Sequence, residues 1–427
     1  MNPLHVGILG CLSLLILLFT SMPVAFAMIA AGLAGFALIV TPQAAFSMVV
    51  ADLYDTFSSY SLTVIPLFVF MGQVVFHAGI SRRLFKTAYT WIGHLPGGLA
   101  MATVGACTGF GAICGSGPAT AATMASVALP EMRRYGYSEE LATGGSLGML
   151  IPPSVVFIVY AIMTEQSIGA LFLAGIVPGI LIALLFCISI YLRCRMNKTL
   201  GPAGPQMSWL QRLRSLNGVV ETLILFVVVI GGMFVGLFTP IEAAAIGAAG
   251  SLVIAAVKGQ LSWQRMRRIL LETVRTSVMV FFIVAGAVVF GRFLAVSQIP
   301  FVIARWLTSL PFPGWIVMFL IIAFFLTAGC FIDALALILL TIPIFYPVVL
   351  ELGYNPVWFG VMVVVVTQMG VITPPVGMNV YVVSGIAREV PLQRIFKGSL
   401  PFLVMLLLAA VILVFFPGLS ILLPGIS

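Results

Sequence analysis

Charged residues are scarce in this sequence. Of its 427 residues, 20 are Lys or Arg, 12 are Asp or Glu and 3 are His, so that 7% are charged, whereas a soluble domain carries about 25%. Hydrophobic residues make up 62% of the chain, and the mean hydropathy is +1.21. A water-soluble fold would expose much of this apolar surface, and an open sheet cannot satisfy its backbone hydrogen bonds in lipid. The composition therefore predicts an all-α, polytopic membrane protein.

Catalytic and metal-binding signatures are also missing. The sequence has neither a Gly-x-x-x-x-Gly-Lys-Ser/Thr phosphate-binding loop nor a His-Glu-x-x-His metalloprotease motif. The segment 144–148 fits Gly-x-Ser-x-Gly, but that motif needs a strand-to-helix turn and a triad histidine, and all three histidines lie in the first quarter of the chain. The six cysteines lack metal-ligand spacing. We therefore expect no enzyme activity, no transition metal and no organic cofactor.

The net charge of +8 is explained by membrane topology. The basic residues lie in short clusters between apolar runs, which is the positive-inside pattern, so we expect contact with the lipid bilayer and no nucleic-acid partner. One threading puts all six clusters in the cytoplasm and both termini outside; the clusters are 82–86, 133–134, 193–198, 212–214, 265–268 and 388–397. It has about 10 membrane helices, at 4–19, 22–40, 62–79, 138–164, 168–192, 218–238, 241–257, 273–291, 357–386 and 400–423, with a separate interfacial helix at 262–269.

Two further apolar stretches, 95–131 and 314–350, are interrupted in the middle by glycine-rich segments. Basic clusters flank the first stretch but not the second, which predicts two re-entrant helical hairpins that enter the membrane from opposite sides. Gly148-x-x-x-Pro152-Pro153 recurs as Gly370-x-x-x-Pro374-Pro375, and each Pro-Pro pair breaks a membrane helix. The sequence thus predicts two inverted repeats, each with a hairpin and a broken helix.

These boundaries divide the chain into five regions. We expect scaffold helices at the amino terminus, a first repeat, a cytoplasmic linker, further scaffold helices with the interfacial helix, and a second repeat, at 1–59, 60–195, 196–217, 218–270 and 271–427 respectively.

The breaks and hairpin tips suggest where ions and substrate bind. A broken helix leaves carbonyl oxygens unpaired at membrane depth, where they can bind a cation, while the amino-terminal ends of half-helices attract an anion. The alternative is that Pro and Gly only kink packed helices. Asp333 is either a cation ligand or the amino-terminal cap of a half-helix. Asn379 contacts either the substrate or a neighbouring helix.

The motifs resemble those of a known family. Five segments are similar to segments of the large membrane subunit of tripartite ATP-independent periplasmic (TRAP) transporters. They are Cys114-Gly-Ser-Gly-Pro-Ala-Thr-Ala, Leu150-Ile-Pro-Pro-Ser, Phe331-Ile-Asp-Ala, Ile342-Pro-Ile-Phe and Gly370-Val-Ile-Thr-Pro-Pro-Val-Gly-Met-Asn. The resemblance covers essentially the whole chain. It implies a sodium-driven secondary transporter of elevator type in a bacterial inner membrane, with Na⁺ as coupling ion.

The resemblance also implies partners and substrates. The partners are a periplasmic substrate-binding protein and a small four-helix membrane subunit, which we expect to be a separate polypeptide. The substrates implied are organic acids, such as C4-dicarboxylates, 2-oxo acids, sugar acids or sialic acids. The other readings are a stand-alone sodium/carboxylate symporter, a passive channel and an intramembrane enzyme.

Residue roles follow from the resemblance position by position. It implies a first sodium site at Ser116, Gly117, Thr120, Gly148 and Pro152. It implies a second at Gly329, Asp333, Gly370, Thr373 and Pro374. The substrate residues it implies are Ser116, Ser154, Thr367 and Asn379. The first tip often reads Ser-Gly-Ser-Ser in the family but Cys-Gly-Ser-Gly here, so two side-chain hydroxyls are missing.

Overall fold

The computed structural model describes residues 2–20, 22–145, 151–309 and 311–425, without the side chain of residue 308. Within these ranges every regular element is a helix. The first part of the chain forms α1 (Pro3–Phe19), α2 (Val24–Ile39), α3 (Pro42–Ser58), α4 (Val64–His77), α5 (Ile80–Ile92), α6 (Gly98–Cys114), α7 (Gly117–Arg134), α8 (Glu139–Gly145), α9 (Val155–Thr164) and α10 (Ile168–Met196).

After α10 a linker leads into the second part of the chain. Its helices are α11 (Trp209–Leu216), α12 (Val220–Phe226), α13 (Gly232–Phe234), α14 (Pro240–Val257), α15 (Trp263–Ser297), α16 (Ile299–Ser309), α17 (Gly314–Gly329), α18 (Ala334–Glu351), α19 (Pro356–Gly370), α20 (Met378–Ile386), α21 (Leu392–Phe415) and α22 (Gly418–Ile421). A π-helical turn at Val227–Gly231 joins α12 to α13. Among the described helices, 6 are long and apolar enough to cross a membrane, or up to 7 if a bent pair counts as one span.

The two halves repeat one order of elements. A helix, a shorter helix, a helical hairpin, a broken helix and a long helix follow one another as α4, α5, α6/α7, α8/α9 and α10, and again as α15, α16, α17/α18, α19/α20 and α21. The halves interlock, because α7 packs against α20, α18 packs against α9, and α10 packs against α21. This is the predicted order of hairpins and broken helices. The depth of the hairpins in a membrane stays a prediction.

All six basic clusters lie on one face of the molecule. Ion pairs and hydrogen bonds connect the clusters or the residues next to them. The ion pairs are Arg133–Glu389 (3.1 Å), Arg394–Glu139 (3.5 Å), Arg83–Glu221 (3.7 Å) and Lys258–Glu221 (2.5 Å). The hydrogen bonds run from Ser138 N to Leu200 O (2.9 Å), from Gly97 N to Gly201 O (3.0 Å), from Thr87 Oγ1 to Ser215 O (2.7 Å) and from Arg265 Nη1 to Gln260 O (2.9 Å). The predicted threading requires this shared face. Its assignment to the cytoplasm stays a prediction.

The structure differs from the predicted elements in two places. We predicted an interfacial helix at 262–269 separate from a span at 273–291, but α15 is one continuous helix of 35 residues. No Gly or Pro lies between its basic first turns and its apolar part, so the change in composition does not interrupt the backbone hydrogen bonds. The helices α3, α5, α11 and α16 were not predicted. Each contains at least one charged residue, so none of them forms an uninterrupted apolar run in the sequence.

Candidate functional site

The first hairpin tip is a sharp turn between α6 and α7. Gly115 ends α6 with φ +65°, a left-handed conformation that favours glycine. The Ser116 hydroxyl oxygen then caps α7 by accepting a hydrogen bond from the Ala119 N–H at 3.4 Å. The Thr120 hydroxyl donates to the Ser116 carbonyl at 2.8 Å. The predicted sodium residues Ser116, Gly117 and Thr120 therefore form one tight turn.

The first broken helix contacts this tip directly. The Val155 N–H, at the start of α9, donates to the Gly115 carbonyl at 3.3 Å. Ser154 is buried, and its hydroxyl oxygen caps α9 by accepting from the Val156 N–H at 3.2 Å. Pro152 lies in the break, and its peptide bond to Pro153 is cis. The predicted sodium residue Gly148 lies outside the described residues.

The second hairpin tip lies between α17 and α18. A carboxylate oxygen of Asp333 accepts a hydrogen bond from the Leu335 N–H at 3.0 Å, so Asp333 caps α18. This is one of the two roles that the sequence left open. Gly329, the last residue of α17, touches the second broken helix, because a methyl group added to Gly370 would lie 2.6 Å from the Gly329 carbonyl oxygen.

The second broken helix runs from α19 to α20 through a cis Pro374–Pro375 bond. Thr373 donates its hydroxyl hydrogen to the Met369 carbonyl at 2.6 Å, and Pro374 is exposed. The Asn379 N–H donates to the Val371 carbonyl at 3.0 Å, which bridges the break. Thr367 is fully buried, and its hydroxyl donates to the Val364 carbonyl at 3.0 Å inside α19.

A cavity of about 850 Å³ joins the two tips. The two tips and the starts of α9 and α20 line it together with residues of α2, α4 and α15. The described lining residues that carry polar side chains or belong to the tips are Gln73, Cys114, Gly115, Ser116, Gly117, Thr276, Asp333, Gln368 and Asn379. Of the predicted residues, Ser116, Gly117, Asp333 and Asn379 meet here. The other predicted residues that the structure describes do not line this cavity: Thr120, Pro152, Ser154, Gly329, Thr367, Gly370, Thr373 and Pro374.

Four helices begin at the cavity, namely α7, α9, α18 and α20. The amino-terminal end of a helix carries a partial positive charge of about +0.5. Asp333 compensates this charge at α18, whereas uncharged residues cap the other three helices: Ser116, Ser154 and Gly377. Among the described residues that line the cavity, none is Lys, Arg or His. Backbone dipoles and neutral donors are therefore the groups available to hold an anion.

Sequence reasoning missed Gln73, Thr276 and Gln368. The two glutamines lie inside the apolar runs 62–79 and 357–386, where an uncharged polar side chain is unusual. That contrast is the signal that points to them. Thr276 has no comparable signal, because threonine is common in membrane helices.

Comparison with known proteins identifies the family. The sequence profile described as "Tripartite ATP-independent periplasmic transporter, DctM component" matches residues 11–419. The chain belongs to this family. As a DctM-type chain it is a multi-pass membrane protein and a transporter subunit, which confirms the predicted family, membrane class and lack of enzyme activity.

This DctM-type chain is similar in sequence to two characterised transporter subunits and similar in fold to one solved structure. It is 39% identical over 394 residues to the C4-dicarboxylate TRAP transporter large permease protein DctM of Pseudomonas aeruginosa, with 91% of each chain covered. It is 34% identical to the sialic acid TRAP transporter large permease protein SiaM of Vibrio cholerae, with 96% of each covered. The crystal structure of the Alcanivorax borkumensis YdaH transporter matches with a TM-score of 0.68 and 15% identity, over 88% of this chain and 89% of the other. That likeness confirms the fold class.

Proposed function

We propose that this chain is the large permease subunit of a sodium-coupled, binding-protein-dependent secondary transporter that imports organic acids. One observation carries the proposal: the starts of four helices and both hairpin tips line a single cavity without a cationic side chain among its described residues. Such a site attracts a carboxylate through backbone dipoles. The substrates in the names of the two relatives, C4-dicarboxylate and sialic acid, are also organic acids.

We place the two sodium ions behind the cavity, where hairpin backbone meets broken-helix backbone. The first site comprises the turn Ser116–Thr120 and the break at Gly148 and Pro152. The second comprises Gly329, Asp333, Gly370, Thr373 and Pro374. The close approach of Gly329 and Gly370 supports the second site, because α17 and α19 both end there. The carboxyl-terminal ends of helices carry partial negative charge and present carbonyl oxygens, which suit a cation.

The transport movement we propose is of elevator type. The two hairpins and the two broken helices move together, while the helices of 1–59 and 218–270 form the scaffold. The interlocked packing of α7 with α20 and of α18 with α9 supports movement as one body. The cavity supports a boundary between the moving part and the scaffold, because both hairpin tips line it together with α2, which belongs to the scaffold.

The proposed assembly has three components in a bacterial inner membrane. The large permease works with a separate small four-helix membrane subunit and a periplasmic substrate-binding protein, and both of its termini are periplasmic. The names of the relatives, which describe large permease proteins of TRAP transporters, support this assembly. The single basic face supports the orientation, because basic residues prefer the cytoplasmic side.

The test is reconstitution in proteoliposomes. Liposomes that contain this chain and the small subunit are given the binding protein and a panel of radiolabelled organic acids, with or without an inward sodium gradient. We expect uptake only when both sodium and the binding protein are present. Uptake without the binding protein would favour a stand-alone symporter, and flux without a sodium gradient would favour a channel; either result contradicts the proposal.

A further inference from the structure

The helix α11 ends the linker between the two halves. It precedes the apolar segment Val220–Phe234, and the chain bends by 47° between them. None of the residues of α11 is buried. Three of its large apolar side chains are exposed: Trp209 by 67%, Leu210 by 59% and Leu213 by 56%. Exposed leucines and a tryptophan at the end of a membrane segment are typical of a helix that lies in the membrane interface.

The helix α5 holds α11 in place. The Thr87 hydroxyl donates a hydrogen bond to the Ser215 carbonyl at 2.7 Å, and the ring centroids of Trp91 and Trp209 lie 6.0 Å apart, so the two helices run antiparallel. The Arg212 guanidinium lies 5.5 Å from the centroid of the Trp209 ring, a distance at which a cation and an aromatic ring attract each other. These contacts fix α11 on α5 and leave its leucines uncovered.

The pair α5–α11 carries charge of one sign. It contains five basic residues and no acidic residue: Arg82, Arg83, Lys86, Arg212 and Arg214. Arg83 pairs with Glu221 of α12 at 3.7 Å, whereas the other four form no ion pair within the part of the chain that the structure describes. Arg82, Lys86 and Arg214 are exposed. The two helices with the exposed leucines therefore also present positive charge to their surroundings.

This combination of charge and apolar surface defines the occupant. An anionic phospholipid supplies a phosphate for the basic side chains and acyl chains for the apolar side of α11. A zwitterionic phospholipid supplies the same acyl chains, but its own positive group opposes the basic residues. We propose that α5 and α11 form a binding site for the headgroup of an anionic phospholipid, such as phosphatidylglycerol. The site goes beyond the proposed function and does not depend on it, since no substrate takes part.

The test measures how strongly brominated phospholipids quench the fluorescence of Trp209. The full chain is reconstituted in bilayers of equal amounts of phosphatidylglycerol and phosphatidylcholine with the same acyl chains, and one of the two lipids carries bromine on its chains. The Trp209 signal is the difference between the unmodified chain and Trp209→Phe. We expect brominated phosphatidylglycerol to quench this signal about threefold more than brominated phosphatidylcholine, because the basic residues concentrate the anionic lipid at the site.

Two double variants, each made with and without Trp209→Phe, locate the preference. Lys86→Gln with Arg214→Gln should bring the quenching ratio of the two lipids close to one. The matched control is Arg388→Gln with Lys397→Gln, which removes the same charges from exposed positions elsewhere on the basic face. This control should keep the preference of the unmodified chain.

The inference is overturned if both brominated lipids quench Trp209 equally in the unmodified chain, or if the variant at Lys86 and Arg214 keeps the preference. It is also overturned if the control loses the preference, because the basic face as a whole would then attract the lipid. If neither lipid quenches Trp209, protein or water covers α11 and the lipid site does not exist. None of these results changes the uptake that we expect under the proposed function.

Discussion

Gly370 and Gly329 meet backbone to backbone, but the contact is not symmetric. A methyl group added to Gly370 would lie 2.4 Å from the carbonyl carbon of Gly329, whereas one added to Gly329 would lie 3.4 Å from the α-carbon of Gly370. The first distance is a severe overlap with backbone, which cannot rotate away. The second is an ordinary van der Waals contact. The second tip and its broken helix therefore tolerate a side chain on one partner only.

Gly370→Ala should separate the second tip from its broken helix. Overpacking of this kind costs about 1–3 kcal/mol, and here the neighbouring atoms are backbone. We expect a lower unfolding temperature and a several-fold loss of sodium-dependent uptake. Gly329→Ala is the matched control for packing and should keep the unfolding temperature close to that of the unmodified chain. Equal effects of the two variants on unfolding temperature would show that this close approach does not matter.

Asp333→Asn should separate the capping role of Asp333 from its charge. Asn caps a helix about as well as Asp, so the variant should keep its thermal stability, whereas Asp333→Ala should lose about 1 kcal/mol. If the carboxylate holds sodium, Asp333→Asn should raise the sodium concentration for half-maximal uptake about tenfold. The measurement is uptake against sodium concentration in proteoliposomes. An unchanged sodium dependence in Asp333→Asn would remove Asp333 from the second sodium site.

At the first tip, substitutions of Ser116 should distinguish its role as a helix cap from a role in binding substrate or sodium. Its hydroxyl oxygen caps α7 and lines the cavity. Replacement of an N-cap serine costs about 1 kcal/mol with Ala but only a few tenths with Gly. If the hydroxyl also contacts substrate or sodium, Ser116→Gly should keep the stability of the chain and still raise the substrate concentration for half-maximal uptake about tenfold. Normal uptake by the Gly variant would limit Ser116 to its role as a cap.

Glu389→Gln should have almost no effect. Glu389 pairs with Arg133 at 3.1 Å, but its side chain is 81% exposed, and exposed ion pairs contribute about 0–1 kcal/mol. We expect the unfolding temperature and the uptake rate to stay within error of those of the unmodified chain at physiological salt. A large loss of uptake would instead indicate that this face contacts a partner through Glu389.

The sequence predicted those parts of the fold that glycine and proline determine. Both hairpins follow the predicted stretches closely: α6 and α7 extend over 98–134 where 95–131 was predicted, and α17 and α18 extend over 314–351 where 314–350 was predicted. Both breaks occur at the Pro-Pro pairs. The reason is local, because a proline inside a helix removes a donor and clashes with the preceding turn, whatever surrounds it.

The candidate site was predicted less completely, because it depends on contacts between distant segments. Ser116 and Asp333 were identified from the tips that carry them. The cavity between them also includes Gln73 and Thr276, which belong to helices outside both hairpins. Nothing in the spacing of α4 or α15 shows which of their faces meets the tips. Long-range packing decides this, and a single sequence does not encode it in a local pattern.

The crossed pairing of hairpins and broken helices makes the two halves dependent on each other. Since α7 covers α20 and α18 covers α9, each half supplies a surface that the other lacks. The pairing is reciprocal, because a hairpin helix of each half packs against a broken-helix segment of the other half. Either half produced alone would expose the apolar face that its counterpart covers, and it would be expected to assemble only when the other half is produced with it.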